Sequence, residues 1–224
     1  MYTDQIARKE LAGFMDHTLL KPEAMCADIE QLCAEAAQLG TFAVCVNSSM
    51  VETASAALNK SDVCVVSVVG FPLGASLSGA KARETELAIR HGASEIDTVI
   101  QIGWLKERNY RGVAQDIAAV VQSAGDALVK VIIEACLLTD EEKRVACAIA
   151  VSAGAGFVKT STGFSKAGAT EDDVRLMREA VGPFIGVKAA GGIRDLHTAV
   201  AMLNAGATRL GVSASVAILA EAQQ

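Results

Sequence analysis

Two lysines sit inside short apolar runs, Phe157-Val158-Lys159-Thr160-Ser161 and Gly186-Val187-Lys188-Ala189-Ala190, 29 residues apart. A charged side chain in such a run is costly unless it is paired or solvated. On neighbouring strands the two amines would stand at one height. Like charge plus desolvation should then lower the pKa of one of them from about 10.4 toward 7 or 8. A neutral lysine attacks an aldehyde or ketone to give a carbinolamine and then an iminium ion, an electron sink for making or breaking a carbon–carbon bond. The other reading of each lysine is a side chain that snorkels from a strand end into solvent. Asp97, in Glu95-Ile96-Asp97-Thr98-Val99, is suited to position water and relay protons, or to hold Lys188 or Lys130 by a salt bridge, and these roles are compatible. Lys130 and Glu134 fall on one face of another apolar run and read as a supporting charge network. Four runs in all carry an ionisable residue on this reading.

Glycine-rich turns follow the last of these runs, as Gly191-Gly192-Ile193-Arg194 and Gly211-Val212-Ser213, with Gly163 after the Lys159 run. Backbone N–H groups at such turns hold phosphate, and Arg194 or Lys166 would add positive charge. Any single glycine is an ordinary turn; as a set they point to a phosphorylated substrate.

These residues need a scaffold that repeats. Eight β-branched runs alternate with helical stretches: 14–19, 42–46, 63–70, 95–102, 129–135, 157–162, 185–190 and 209–212 as strands, each followed by a helix candidate, near 23–39, 48–58, 78–91, 110–124, 139–153, 170–181, 195–205 and 213–222. Thr139 with Glu142 forms a capping-box pattern, Thr170 opens another helix similarly, and Gly40, Gly92, Gly154 and Gly206 stand where helices end. Eight units of about 28 residues without a linker predict an α/β fold, a single (β/α)₈ TIM barrel over residues 1–224, with catalytic groups at the C-terminal ends of its strands. An open doubly wound sheet is the alternative, but its Gly-x-Gly-x-x-Gly fingerprint after a strand is missing. Gly74 to Lys81 narrowly misses a P-loop.

Composition excludes other classes. At 51% hydrophobic and 21% charged residues the chain is not disordered. A net charge of −6 argues against a nucleic-acid surface, and the longest apolar stretch is far shorter than the roughly 20 residues that span a bilayer. The N-terminus shows no secretory pattern, which predicts a cytoplasmic location. Six cysteines without Cys-x-x-Cys spacing predict mostly buried, reduced thiols and no zinc site.

The chain resembles the deoxyribose-phosphate aldolases, in their shorter bacterial form, over essentially its whole length. The resemblance rests on Asp16-His17-Thr18-Leu19-Leu20-Lys21-Pro22, Val44-Cys45-Val46-Asn47, Val69-Gly70-Phe71-Pro72-Leu73-Gly74, Glu95-Ile96-Asp97, Val158-Lys159-Thr160-Ser161-Thr162-Gly163 and Val187-Lys188-Ala189. It implies a class I aldolase without a cofactor or metal that interconverts 2-deoxy-D-ribose 5-phosphate with acetaldehyde and D-glyceraldehyde 3-phosphate in deoxyribose catabolism. Lys159 matches the Schiff-base lysine, Lys188 the second lysine that perturbs it, and Asp97 the acid/base residue. Asp16, Thr18, Cys45 and Thr160 join Gly163, Gly191, Gly192, Arg194, Gly211 and Ser213 as expected substrate contacts, although Cys45 reads equally as a core thiol. Expected partners are the sugar phosphate and acetaldehyde, with no nucleic acid or membrane, and further copies of the chain in a homodimer or homotetramer.

Five positions depart from the family pattern. Thr98 and Gln101 replace Met and Asn, Lys166-Ala167 replaces Thr-Gly, and Ala190 replaces Ser, which puts phosphate affinity and a hydrogen bond near the site in question. Some longer relatives end in a helpful tyrosine; this sequence ends Glu221-Ala222-Gln223-Gln224, and no such role is carried over. Competing readings are a metal-dependent aldolase, disfavoured by three scattered histidines, a non-catalytic sugar-phosphate binder, and a transaldolase-like barrel with different motif order.

Overall fold

The computed structural model describes residues 1–223; Gln224, the last residue of the tail, lies outside the described residues. After a short helix α1 (Arg8–Ala12), strand and helix alternate: β1 (Met15–Leu19), α2 (Cys26–Leu39), β2 (Ala43–Val46), α3 (Val51–Ala57), β3 (Cys64–Val69) and α4 (Ser78–Arg90). There follow β4 (Glu95–Val99), α5 (Ile102–Lys106), α6 (Tyr110–Ala124), β5 (Leu128–Ile132), α7 (Asp140–Ser152), β6 (Phe157–Lys159), α8 (Glu171–Val181), β7 (Gly186–Ala190), α9 (Leu196–Asn204), β8 (Arg209–Val212) and α10 (Ser215–Glu221). All neighbouring strands pair in parallel, and β8 returns to β1, closing the TIM barrel in the order of the sequence.

Strand alternation sorts the residues into two layers. Outward-facing Val44, Ile96, Val131, Val158, Val187 and Leu210 are fully buried under the helices and form the main apolar core. Burying each such side chain contributes about 1.5–3 kcal/mol, so this layer holds the shell closed. The lumen is divided. Ala43, Cys45, Val66 and Val68 make an apolar wall on β2 and β3. The remaining strands send in charged groups: Asp16 from β1, Glu95 and Asp97 from β4, Lys130 from β5, Lys159 from β6, Lys188 from β7 and Arg209 from β8. Six strands thus carry an ionisable lumen residue, not four.

Helix boundaries follow local chemistry. Thr139 Oγ1 accepts from the Glu142 backbone N–H and the Glu142 carboxylate accepts from the Thr139 N–H at 2.8 Å, the reciprocal cap expected for α7. At the start of α8 Thr170 Oγ1 accepts from the Asp173 N–H at 3.1 Å, without the reciprocal backbone bond. Gly40 ends α2 at φ 69°, a left-handed backbone that glycine adopts without a Cβ clash.

Three strands end earlier than their apolar runs suggest. β4 stops at Val99 and α5 begins at Ile102; β5 stops at Ile132, where Glu134 turns at φ 52° into a 3-10 turn (Ala135–Leu137); β6 stops at Lys159. At each the chain bends at the barrel mouth, and the residues just past the strand stay buried. Among the described residues no helix is long and apolar enough to cross a membrane. All six cysteines are free, but Cys33, Cys45 and Cys147 alone are fully buried; Cys26 is exposed. Burial pushes the Cys33 thiol to about 11 and the Cys147 thiol to about 12, so both are inert at neutral pH.

Candidate active site

Parallel register fixes the height of each lumen group. Lys159 pairs in register with Lys188, and Lys188 with Arg209, so three cations occupy one level on β6, β7 and β8. Asp97 stands opposite Lys130 on β4 and β5. Across the lumen Lys159 Nζ donates to Asp97 Oδ2 at 2.7 Å, Lys188 Nζ donates to the same oxygen at 2.7 Å, and Lys130 Nζ donates to Asp97 Oδ1 at 2.9 Å. Lys188 also donates to Asp16. Gly211 leaves room for this, because a Cβ there would lie 3.0 Å from Lys188 Cε.

The electrostatics differ from simple repulsion between two lysines. Burial would raise the Asp97 carboxyl, but Lys130, Lys159 and Lys188 overcome it and hold that carboxyl well below the usual range. Burial would lower Lys188, yet Asp16 and Asp97 push its pKa well above that of an ordinary lysine. Lys188 is therefore a fixed cation, and the expected lowering does not apply to it. Asp16 is held below its ordinary value against burial by Lys188, Lys130 and Arg209.

A cavity of about 250 Å³ opens above this cluster, across the C-terminal ends of β6, β7, β8 and β1. Lys159 is the lysine of the cluster that lines it, at 3% exposure, whereas Lys188, Lys130 and Asp97 are sealed beneath. Of the expected substrate contacts, Thr18, Gly163, Gly191, Gly192, Arg194, Gly211 and Ser213 line the cavity. Asp16, Cys45 and Thr160 do not. Asp16 is fully buried between Lys188 and Arg209. Cys45 is fully buried in the apolar wall, where burial raises its thiol pKa. Thr160 Oγ1 accepts from the Ala190 N–H at 3.1 Å and pairs with the Ala190 carbonyl, stapling β6 to β7.

Other expectations change as well. Glu134 leaves the Lys130 network; it lies past the end of β5 and accepts from Thr162 N at 3.2 Å and Thr162 Oγ1 at 2.5 Å. Lys166 is exposed and outside the cavity lining, so Arg194 is the cation at that end. Gln101 donates to the Ser76 carbonyl rather than reaching the cavity, the Thr98 hydroxyl is buried without a partner, and Ala190 lines the cavity. Sequence reasoning missed Thr162, Phe164 and Lys21 as lining residues and Arg209 and Glu95 as members of the cluster. The available signal for the last two was a charge at the first position of each run.

Among the described residues no group of three or more His, Cys, Asp or Glu side chains is arranged to hold a metal ion. The arrangement offers instead a buried amine facing a cavity, hydrogen-bonded to a carboxylate that two further ammonium groups keep ionised. It suits addition of an amine to a carbonyl, with the leaving proton passed along Asp97.

Comparison with known proteins agrees with this chemistry. The family description DeoC/LacD family aldolase matches residues 11–221. The deoxyribose-phosphate aldolase of Coprothermobacter proteolyticus is 57% identical over 212 residues, covering 95% of this chain and 97% of the relative. That of Lysinibacillus sphaericus is 58% identical, covering 94% and 95%. Among solved structures, an aldolase designated QR15 superimposes with a TM-score of 0.91 at 39% identity, covering 95% of each chain. The tetrameric deoxyribose phosphate aldolase from Aeropyrum pernix gives 0.90 at 32% identity, covering 97% of this chain and 93% of its own. This chain belongs to the DeoC/LacD family of aldolases.

Proposed function

We propose that this protein is a class I aldolase that reversibly cleaves 2-deoxy-D-ribose 5-phosphate to D-glyceraldehyde 3-phosphate and acetaldehyde, as part of deoxyribose catabolism, with Lys159 as the Schiff-base nucleophile. The observation that carries it is the Lys159 amine at the floor of the cavity, 2.7 Å from Asp97 Oδ2. The buried cluster holds four cationic side chains, Lys130, Lys159, Lys188 and Arg209, against three carboxylates, Asp16, Glu95 and Asp97. Loss of one proton balances it. Lys159 is the amine with access to substrate.

The free amine adds to C1 of the open-chain sugar, and departure of the C1 oxygen as water leaves a protonated iminium. A base removes the proton of the C3 hydroxyl; the C2–C3 bond breaks, its electron pair enters the iminium to form an enamine, and C3 leaves as the aldehyde of the triose phosphate. Two carbons stay on Lys159 and three depart, which fixes the broken bond as C2–C3. Protonation of the enamine at C2 and hydrolysis then release acetaldehyde and the amine. Asp97 Oδ2 accepts directly from Lys159, so it takes up and returns the proton of that amine; its depressed pKa makes it a conduit and not a resting place. Lys188, a permanent cation, stabilises negative charge that develops beside it.

Backbone groups of Gly163, Gly191 and Gly192, with Ser213 and Arg194, hold the phosphate, and Thr18 meets a sugar hydroxyl at the β1 side. Self-association belongs to the same reading and is supported by the tetramer named for the Aeropyrum pernix relative. A reducing cytoplasm fits six free cysteines.

The test is a coupled assay of triose phosphate release. The protein as it stands turns over, and Lys159→Ala loses about 10³-fold or more in kcat while keeping its fold. A Lys159→Ala variant with full lyase activity overturns the proposal. So does a protein that binds the sugar phosphate without turnover over a broad pH range.

A further inference from the structure

The charged groups of the lumen form a closed circuit. Arg209 Nη1 donates to Asp16 Oδ1 at 2.9 Å, and Asp16 Oδ2 accepts from Lys188. Lys188 reaches Asp97 Oδ2 at 2.7 Å, and Asp97 Oδ1 accepts from Lys130 at 2.9 Å. Lys130 Nζ lies 2.5 Å from Glu95 Oε2, and that oxygen accepts from Arg209 at 3.3 Å, which closes the ring. Cations and carboxylates alternate around it, three of each, and no side chain in it exceeds 7% exposure.

A ring of this composition is electrically neutral by itself. Lys159 hangs outside it, bonded to an Asp97 oxygen already used by Lys188. Arg209 is the member opposite Asp97, and its guanidinium is fixed in place by the Phe42 ring, 3.5 Å from guanidinium carbon to ring centroid.

We propose that Arg209 and Glu95 are positioning residues for the reaction: by closing a neutral six-membered ring they make Lys159 the surplus cation of the cluster, and so set the pH at which its amine becomes available. This rests on Lys159 being the nucleophile. The ring acts through charge in a water-poor lumen, where a single uncompensated charge several residues away is screened weakly. Removing Arg209 leaves the ring with net charge −1 and favours the ammonium form of Lys159. Removing Glu95 leaves it at +1 and favours the free amine. The two changes act in opposite senses, which loosened packing would not produce.

Other groups near Lys159 are common to every variant. From β2, Cys45 interacts with Lys159 and Lys188, but burial keeps it a neutral thiol. β3 presents the apolar Val66 and Val68. Glu134, past β5, is committed to Thr162, and Lys21 and Arg194 line the mouth and are exposed to solvent.

The experiment follows trapping of acetaldehyde on Lys159 by cyanoborohydride, read by peptide mass as a function of pH, so that no substrate phosphate titrates. In Arg209→Met the acidic limb of the trapping rate should move up by about one pH unit, and in Glu95→Gln down by about one, the size expected for one charge at this range. The double variant should return close to the unmodified protein, and Arg209→Lys should keep the unmodified limb. If Arg209→Met does not fold, the isosteric Glu95→Gln decides alone, because its limb must move down. Limbs that stay put, or that move the same way in both single variants, overturn the ring proposal while Lys159 remains the trapped residue. No adduct on Lys159 in the unmodified protein at any pH would remove the reading beneath it.

Discussion

At the scale of the residue, the site turns on which cations are committed. Lys188 serves two carboxylates, so replacing it takes a cation from both, leaving Asp16 with Arg209 and Asp97 with Lys130 and Lys159, whereas replacing Lys159 takes a cation from Asp97 alone. Breaking a buried pair by removing one partner costs about 3–5 kcal/mol. Lys188→Met should therefore lose about 3 kcal/mol of stability at neutral pH, and Lys159→Ala much less. The sign with pH follows. In Lys188→Met both carboxyls lose one of the cations that depress them in the folded state, so the deficit is felt above the unfolded value and fades as pH falls through the carboxylate range. Urea melts of both variants from about pH 2 to about pH 8, a span that brackets the ordinary Asp value of 3.8, check this; a deficit that widens toward acid would contradict it.

Elements position these groups through their ends. β6 stops at Lys159, and the segment after it is held by Glu134, whose backbone sits at φ 52°. A left-handed backbone in a non-glycine residue is strained, by about 1–3 kcal/mol, and persists where other contacts demand it. Here the demand is two hydrogen bonds to Thr162, whose neighbours Gly163 and Phe164 line the cavity. Glu134→Ala should free that segment and raise KM for the sugar phosphate about 10-fold, the worth of one or two hydrogen bonds, with kcat changed far less. An unchanged KM would show that the segment holds its shape without Glu134. The strand and helix order was legible in the sequence because β-branched runs, capping threonines and terminal glycines recur at an even spacing. Strand ends were not, since Ile100, Ile132 and Ile133 stay buried where the chain bends. The short helices α1 and α5 lack capping hydroxyls and carried no signal either.

At the scale of the whole molecule, closure of the barrel brings side chains from five strands, β1, β4, β5, β7 and β8, into one ring of charge. The Lys159–Lys188 pair was legible because both stand mid-run, 29 residues apart. The closing members were not: Asp16 and Arg209 come from the two ends of the chain and meet only when β8 pairs with β1. Stability should show the same construction. Asp16 and Asp97 are depressed in the folded state, so they contribute stability above the ordinary Asp value of 3.8, which is lost as pH falls through their folded values. The urea midpoint should be flat near neutrality and drop below about pH 4. A midpoint that rises on acidification would mean the carboxylates are not the ring's anions.

The most direct test of the account is the mass of the peptide that contains Lys159 after incubation of the protein with acetaldehyde and borohydride. The amine at the cavity floor should gain one ethyl group through the reduced Schiff base, while Lys188 and Lys130, held beneath it by Asp16, Glu95 and Asp97, gain none. An ethyl group on Lys188 with Lys159 unmodified, or no adduct on either, would contradict it.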